Sequence, residues 1–135
     1  MIILDTSFLF AYYNDNDYFH EDSVKLAPEI LSGKYGPVFI SDYVFDEFMT
    51  IAFNKIKDLD KIVKIGENVL FFTNLIYVDE DVFKDSWEIF KNQKDTKMSF
   101  TDCSILALMK YRGISNIATF DEDFLKISKI NVVNG

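Results

Sequence analysis

Residues 1–7, Met1-Ile2-Ile3-Leu4-Asp5-Thr6-Ser7, decide how the rest of the chain is read. Ile2 to Leu4 is a short apolar run that stops abruptly at Asp5. Such a run predicts a strand buried on both faces, as in a parallel sheet. Asp5 then falls at the carboxyl end of that strand, where open parallel sheets bind their ligands.

Outward from this strand, helical and extended segments alternate. Thr6–Tyr13 predicts a helix, broken by Asn14 to Asp17. Asp17 is expected to cap a second helix running to about Ser32, which Pro28 should kink or split. Beyond Gly33 and Gly36, Val38–Ile40 predicts a second strand, and Ser41 caps a helix from Asp42 to about Lys57. Ile62, Ile65, Val69 and Phe72 recur at helical spacing within Leu59–Asn74. Leu75–Val78 predicts a third strand, and Asp79–Asn92 a helix with acids in its first turn, where the helix dipole favours them. After the polar loop Gln93–Lys97, a helix starts at Ser99 and ends at Gly113. Its middle is apolar nearly all round, which places it centrally. Asn116–Thr119 and Ile130–Val133 predict the last strands. The alternation implies an α/β fold, a central short parallel sheet with helices on both faces. No repeat or linker interrupts it, so residues 1–135 read as a single domain.

Composition narrows the function classes. With 49% hydrophobic residues, 14 Phe and 7 Tyr, the chain can bury a core, and disorder is excluded. No apolar run approaches the roughly 20 residues of a membrane span, and the N-terminus lacks the features of a signal peptide. The single cysteine, Cys103, cannot form an internal disulfide, which suits a reducing cytoplasm. It lies in an apolar run and reads as packing. His20 is the only histidine, with no Cys near it at zinc spacing, which argues against a Cys/His zinc site; nothing in the sequence sets a Ser and an Asp about it as a triad. The net charge is −8, and Arg112 is the single arginine. A chain this acidic does not hold nucleic acid by charge alone, and metal ions would have to carry much of any phosphate contact.

The acids themselves suggest that chemistry. Asp5 and Asp121 each follow a predicted strand, and Asp102 sits in the first turn of the central helix. Glu47 shares a helix face with Tyr43 and Ile51. Two carboxylates about 4 Å apart repel by roughly 4 kcal/mol at an effective dielectric near 20. A converging set must take up protons or bind a hard cation, magnesium or manganese, which could activate water against a phosphodiester. Asp5 and Asp102 would be the central ligands, with Glu47 and Asp121 completing the shell. Thr6, Ser7 and Thr101 are candidates for orienting the carboxylates. Each acid also has a plain structural reading. Asp102 completes a Ser99-x-x-Asp102 capping pattern, Asp5 could cap the first helix, Glu47 could lie on a wet edge, and Asp121 to Asp123 could be a solvated turn.

Four stretches together resemble the PIN domain family. They are strand-Asp5-Thr6-Ser7, Ser41-x-x-Val44-x-x-Glu47, Ser99-Phe100-Thr101-Asp102 and Thr119-x-Asp121-x-x-Phe124; Asp17-x-x-His20 adds a further element. The resemblance implies a three-layer sandwich, an acidic pocket holding magnesium or manganese, and cleavage of single-stranded RNA. It also implies the toxin of a VapBC-type toxin–antitoxin pair, a homodimer inhibited by a small antitoxin. Asp121 matches the pattern as fourth acid, with Asp123 as substitute. Pro28 departs from it, because the second helix of such proteins usually runs unbroken. His20 reads as packing or as a hydrogen bond at the helix turn. Two other outcomes stay open: a non-catalytic binding module on the same scaffold, and an RNA-processing nuclease outside any toxin system. A haloacid-dehalogenase-like phosphatase would need an acid at position 7, where Ser7 stands.

Overall fold

A computed structural model describes all of residues 1–135. In chain order the elements are β1 (Ile2–Leu4), α1 (Thr6–Tyr13), α2 (His20–Leu31), β2 (Val38–Ser41), α3 (Asp42–Ile56) and α4 (Leu59–Phe72). Then come β3 (Asn74–Ile76), α5 (Glu80–Lys91), α6 (Phe100–Arg112), β4 (Asn116–Ala118), a short 3-10 turn (Glu122–Lys126) and β5 (Asn131–Val133). The five strands form one sheet in the order β3-β2-β1-β4-β5, every pair parallel.

That order carries the functional geometry. The chain steps from β1 to β2 to β3 in one direction, then returns across the sheet to β4 and β5. Right-handed crossovers therefore place α1 to α4 on one face and α5 and α6 on the other. Both faces are covered, so all three residues of β1 are buried, as its unbroken apolar run predicts. The direction reverses between β1 and β4, which leaves a crevice at their carboxyl ends. Leu4 pairs with Ala118, and the Asp5 amide donates to the Ala118 carbonyl at 3.0 Å. The residues after the two strands are thereby held side by side.

Several boundaries differ from the sequence expectations for local reasons. Helix α2 starts at His20 rather than at Asp17. Asp17 instead closes a tight turn, its Oδ1 accepting from the Phe19 amide at 2.9 Å. Pro28 does not split α2, which runs unbroken to Leu31; the proline is exposed and close to the helix end. Strand β3 begins at Asn74 and α4 ends at Phe72, because pairing with Phe39 draws Asn74 into the sheet. Val78 leaves the strand, and its amide donates to Asp42 Oδ1 at 2.9 Å. The caps at Ser41 and Gly113 stand as expected, with Gly113 left-handed (φ 68°). Helix α6 buries Cys103, Ser104, Ile105, Ala107, Leu108 and Met109, consistent with a central position. Cys103 is fully buried, and burial pushes its thiol up to about 11, which suits packing rather than nucleophilic work.

Candidate active site

Asp5 is 2% exposed at the crevice between β1 and β4. Its Oδ2 accepts from Thr119 Oγ1 at 2.6 Å and from Ser7 Oγ at 2.8 Å. Its Oδ1 is buried and has no partner. Burial is the main force on this carboxyl and raises its pKa; the Thr119 and Ser7 hydroxyls act against burial, and the charge of Asp121 adds to it. A buried carboxylate oxygen without a donor is costly unless a proton or a cation meets it.

Asp102 approaches from the first turn of α6. Ser99 and Asp102 form a reciprocal capping box. The Asp102 amide donates to Ser99 Oγ, and the Ser99 amide donates to Asp102 Oδ2, both at 3.1 Å. The structural reading of Asp102 is therefore realised, and it leaves Oδ1 outside the box. Burial, then the charges of Asp5 and Asp121, push the Asp102 carboxyl up to about 7. Asp5, Asp102 and Asp121 thus sense one another as like charges.

Asp121 caps the 3-10 turn, its Oδ1 accepting from the Asp123 amide at 2.9 Å. Asp123 has other partners. Its Oδ2 accepts from the Lys97 amide at 3.1 Å, and its Oδ1 lies 3.3 Å from Lys126 Nζ. Those contacts tie the 3-10 turn to the loop before α6.

The fourth acid is Glu47. It is half-buried on α3 and borders a shallow depression of about 370 Å³ with Tyr43, Asp46, Thr50, Ile51 and Thr101. Thr101, next to Asp102 in the chain, is the link between that depression and the crevice. No three acidic side chains stand close enough to form a ready-made metal cage. The donor set is open, all oxygen, and includes one orphaned buried oxygen. This composition fits a hard divalent ion that keeps several waters.

The orienting groups differ from expectation. Ser7 does bond Asp5, and it also accepts from the Phe120 amide at 3.0 Å. Thr6 contributes its backbone to Asp5, but its hydroxyl is buried without a partner. The Thr101 carbonyl accepts from Ser104 Oγ at 2.6 Å, and its hydroxyl reaches no carboxylate. The residue missed by sequence is Thr119. Buried at the end of β4, its hydroxyl donates to Asp5, lies 3.1 Å from Ser7 Oγ and accepts from the Asp121 amide at 3.0 Å. The Thr119-x-Asp121 spacing was the available signal: a hydroxyl two residues before an acid at a strand end. His20 donates from Nδ1 to the Ala11 carbonyl at 2.7 Å and so pins α2 to the end of α1.

The sequence model of the PIN domain family matches residues 2–130. The chain belongs to the PIN domain family. Among PIN proteins it is similar to a VapC ribonuclease of Archaeoglobus fulgidus, 29% identical over 92% of this chain and 85% of that protein. It is also similar to the 23S rRNA-specific endonuclease VapC20 of Mycobacterium tuberculosis, 27% identical over 92% of each chain. The crystal structure of that protein, described as a Sarcin-Ricin loop cleaving toxin, superimposes with a TM-score of 0.81 over 96% of this chain and 97% of its own. The VapBC2 structure from Rickettsia felis, 18% identical with a TM-score of 0.75 over 99% and 98% of the two chains, shares the fold. The five parallel strands and six helices are thus the PIN arrangement.

Proposed function

We propose that this PIN domain is a metal-dependent endoribonuclease that cuts single-stranded RNA, and that it is the toxin of a toxin–antitoxin pair. The observation that carries the catalytic part is the buried Asp5 Oδ1 without a partner, on a carboxyl that lies within the electrostatic reach of Asp102 and Asp121 at a strand-end crevice. The relatives named as VapC ribonuclease and rRNA-specific endonuclease support the RNA substrate.

In this reading Asp5 and Asp102 would hold magnesium or manganese directly, while Asp121 and Glu47 would complete the shell directly or through water. Asp121 is preferred to Asp123, whose two oxygens are already occupied by Lys97 and Lys126. The bound ion would supply an activated water and neutralise charge on the leaving oxygen. Ser7 and Thr119 fix the plane of the Asp5 carboxylate, leaving its Oδ1 as the free ligand. The capping box fixes Asp102 in the same way through Oδ2. Asp102, pushed up to about 7 by burial and then by the charges of Asp5 and Asp121, would release its proton on binding a cation. With a net charge of −8, the chain suits a small basic antitoxin segment that reaches the crevice. A homodimer and a cytoplasmic setting complete the proposal; no helix is long and apolar enough to cross a membrane.

The test is cleavage of a labelled single-stranded RNA panel in manganese, magnesium or EDTA, beside Asp102→Asn. Metal-dependent cleavage that the variant loses supports the proposal. Cleavage that survives the substitution, or none in any buffer, overturns it in favour of a binding module.

A further inference from the structure

An aromatic array leads from the carboxylates to the surface. Phe120 lies between Thr119 and Asp121, and its amide is held by the Ser7 hydroxyl that also binds Asp5. Its ring is therefore positioned by the same groups that position the acids. Phe8 and Phe19 both stack on it, at 6.0 Å and 13° and at 4.7 Å and 4°. Tyr18 meets Phe19 edge-on at 4.8 Å. Phe8 is buried, whereas Tyr18, at 90% exposure, is the most exposed aromatic residue of the chain.

The turn that presents Tyr18 is firmly built. Asp17 caps the Phe19 amide, the Asp17 amide donates to the Asn14 carbonyl, and His20 is pinned to Ala11. Such a turn fixes the backbone that carries the exposed ring, and the edge-on contact with Phe19 supports the ring from one side. Charge supplies the second argument. With 22 acids against 14 bases and one arginine, this chain cannot gather many phosphate contacts. Every base, in contrast, has a π-face, and stacking on an aromatic ring needs no cation.

We propose that Tyr18, backed by Phe19 and Phe120, is a stacking platform for an unpaired RNA base beside the scissile phosphate. The substrate rests on the ribonuclease reading; the platform itself is tested by binding as well as cleavage. Short single-stranded RNAs carrying 2-aminopurine at successive positions would be titrated with wild type, Tyr18→Ala and Tyr18→Trp, in manganese and in EDTA. Cleavage kinetics would be read alongside.

Tyr18→Ala should raise KM about 5- to 100-fold with kcat within about twofold, and lose the fluorescence quenching at one position. Tyr18→Trp should restore both. An enzyme that cleaves with unchanged KM and quenching in Tyr18→Ala overturns the platform and leaves the ribonuclease reading standing. Quenching through Tyr18 without any cleavage supports the platform and overturns the ribonuclease reading. Neither quenching nor cleavage overturns both. RNA handling indifferent to Tyr18, with the ring shielded by a bound protein, overturns the platform and assigns the turn to a protein interface.

Discussion

Asp102 closes the capping box of α6 and also faces the charge of Asp5, and the two tasks separate by substitution. Asn keeps an acceptor for the Ser99 amide, whereas Ala removes it. Asp102→Asn should therefore fold as well as wild type or better in EDTA, while Asp102→Ala should lose about 0.5–2 kcal/mol, the usual worth of a cap. Urea titrations of both variants check this; equal destabilisation by Asn and Ala would mean that the charge itself is needed for capping. The pH dependence has a definite sign. Unfolded aspartate titrates near 3.9, folded Asp102 near 7. Between these values the folded chain holds a proton that the unfolded chain has released. The stability due to this carboxyl is thus present below about pH 4 and declines as pH rises to about 7. In chelator, the stability difference between wild type and Asp102→Asn should grow in the variant's favour across that window. Thr119→Val tests the missed residue. It leaves Asp5 with Ser7 alone and the Asp121 amide without its acceptor. A loss of about 1–3 kcal/mol is expected by urea titration, with cleavage reduced more than Ser7's remaining bond can compensate.

Helix α2 shows how far a local signal can mislead at the level of an element. A proline in a helix interior removes a hydrogen bond and crowds the preceding turn, so Pro28 by itself predicts a kinked or split helix. The helix persists because Leu26, Ala27 and Ile30 are buried around Pro28 and hold the backbone in place. The strain has to be met from that burial. Pro28→Ala should return an amide donor for the Val24 carbonyl and stabilise the protein by about 1–2 kcal/mol, after allowing for the greater freedom of the unfolded chain. A higher urea midpoint with unchanged slope is the expected result, and a lower midpoint would mean that the proline ring packs favourably. Strand β3 makes the complementary point. Its three residues are set by pairing with β2, not by their own propensity, so its edges moved from those expected.

The whole molecule is acidic, and Asp5, Asp102 and Asp121 act on one another as like charges at the crevice. A cation that binds there stabilises the fold by mass action, about 1.4 kcal/mol at ten times its dissociation constant. Millimolar manganese should raise the melting temperature of wild type by roughly 3–6 °C relative to EDTA. Asp5→Asn and Asp102→Asn should lose that increment. A scan comparing the three proteins with and without manganese decides it, and an equal rise in all three would place the ion elsewhere on the acidic surface. Moderate monovalent salt should act in the same direction but less strongly, because it screens the carboxylates without coordinating Asp5 Oδ1.

The sequence by itself determined the order and type of the five strands and six α-helices, though not the 3-10 turn at Glu122–Lys126, together with the acids at Asp5 and Asp121 and the caps at Ser41, Ser99 and Gly113. Those features are written locally, in apolar runs, side-chain oxygens and glycine. The PIN resemblance was legible for the same reason, since its motifs are short segments at strand ends and helix starts. Tertiary structure decided what no segment contains. The return crossover placed β4 beside β1 and so set Thr119 against Asp5 across more than a hundred residues of chain. It brought Asp102 and Asp121 within each other's field and set Glu47 beside Thr101 at a depression on α3. It also assembled Phe8, Phe120 and Phe19 from three distant segments. Burial, and with it the raised pKa of Asp5 and Asp102, arises only when the crevice closes, because desolvation is a property of the packed surroundings and not of the residue.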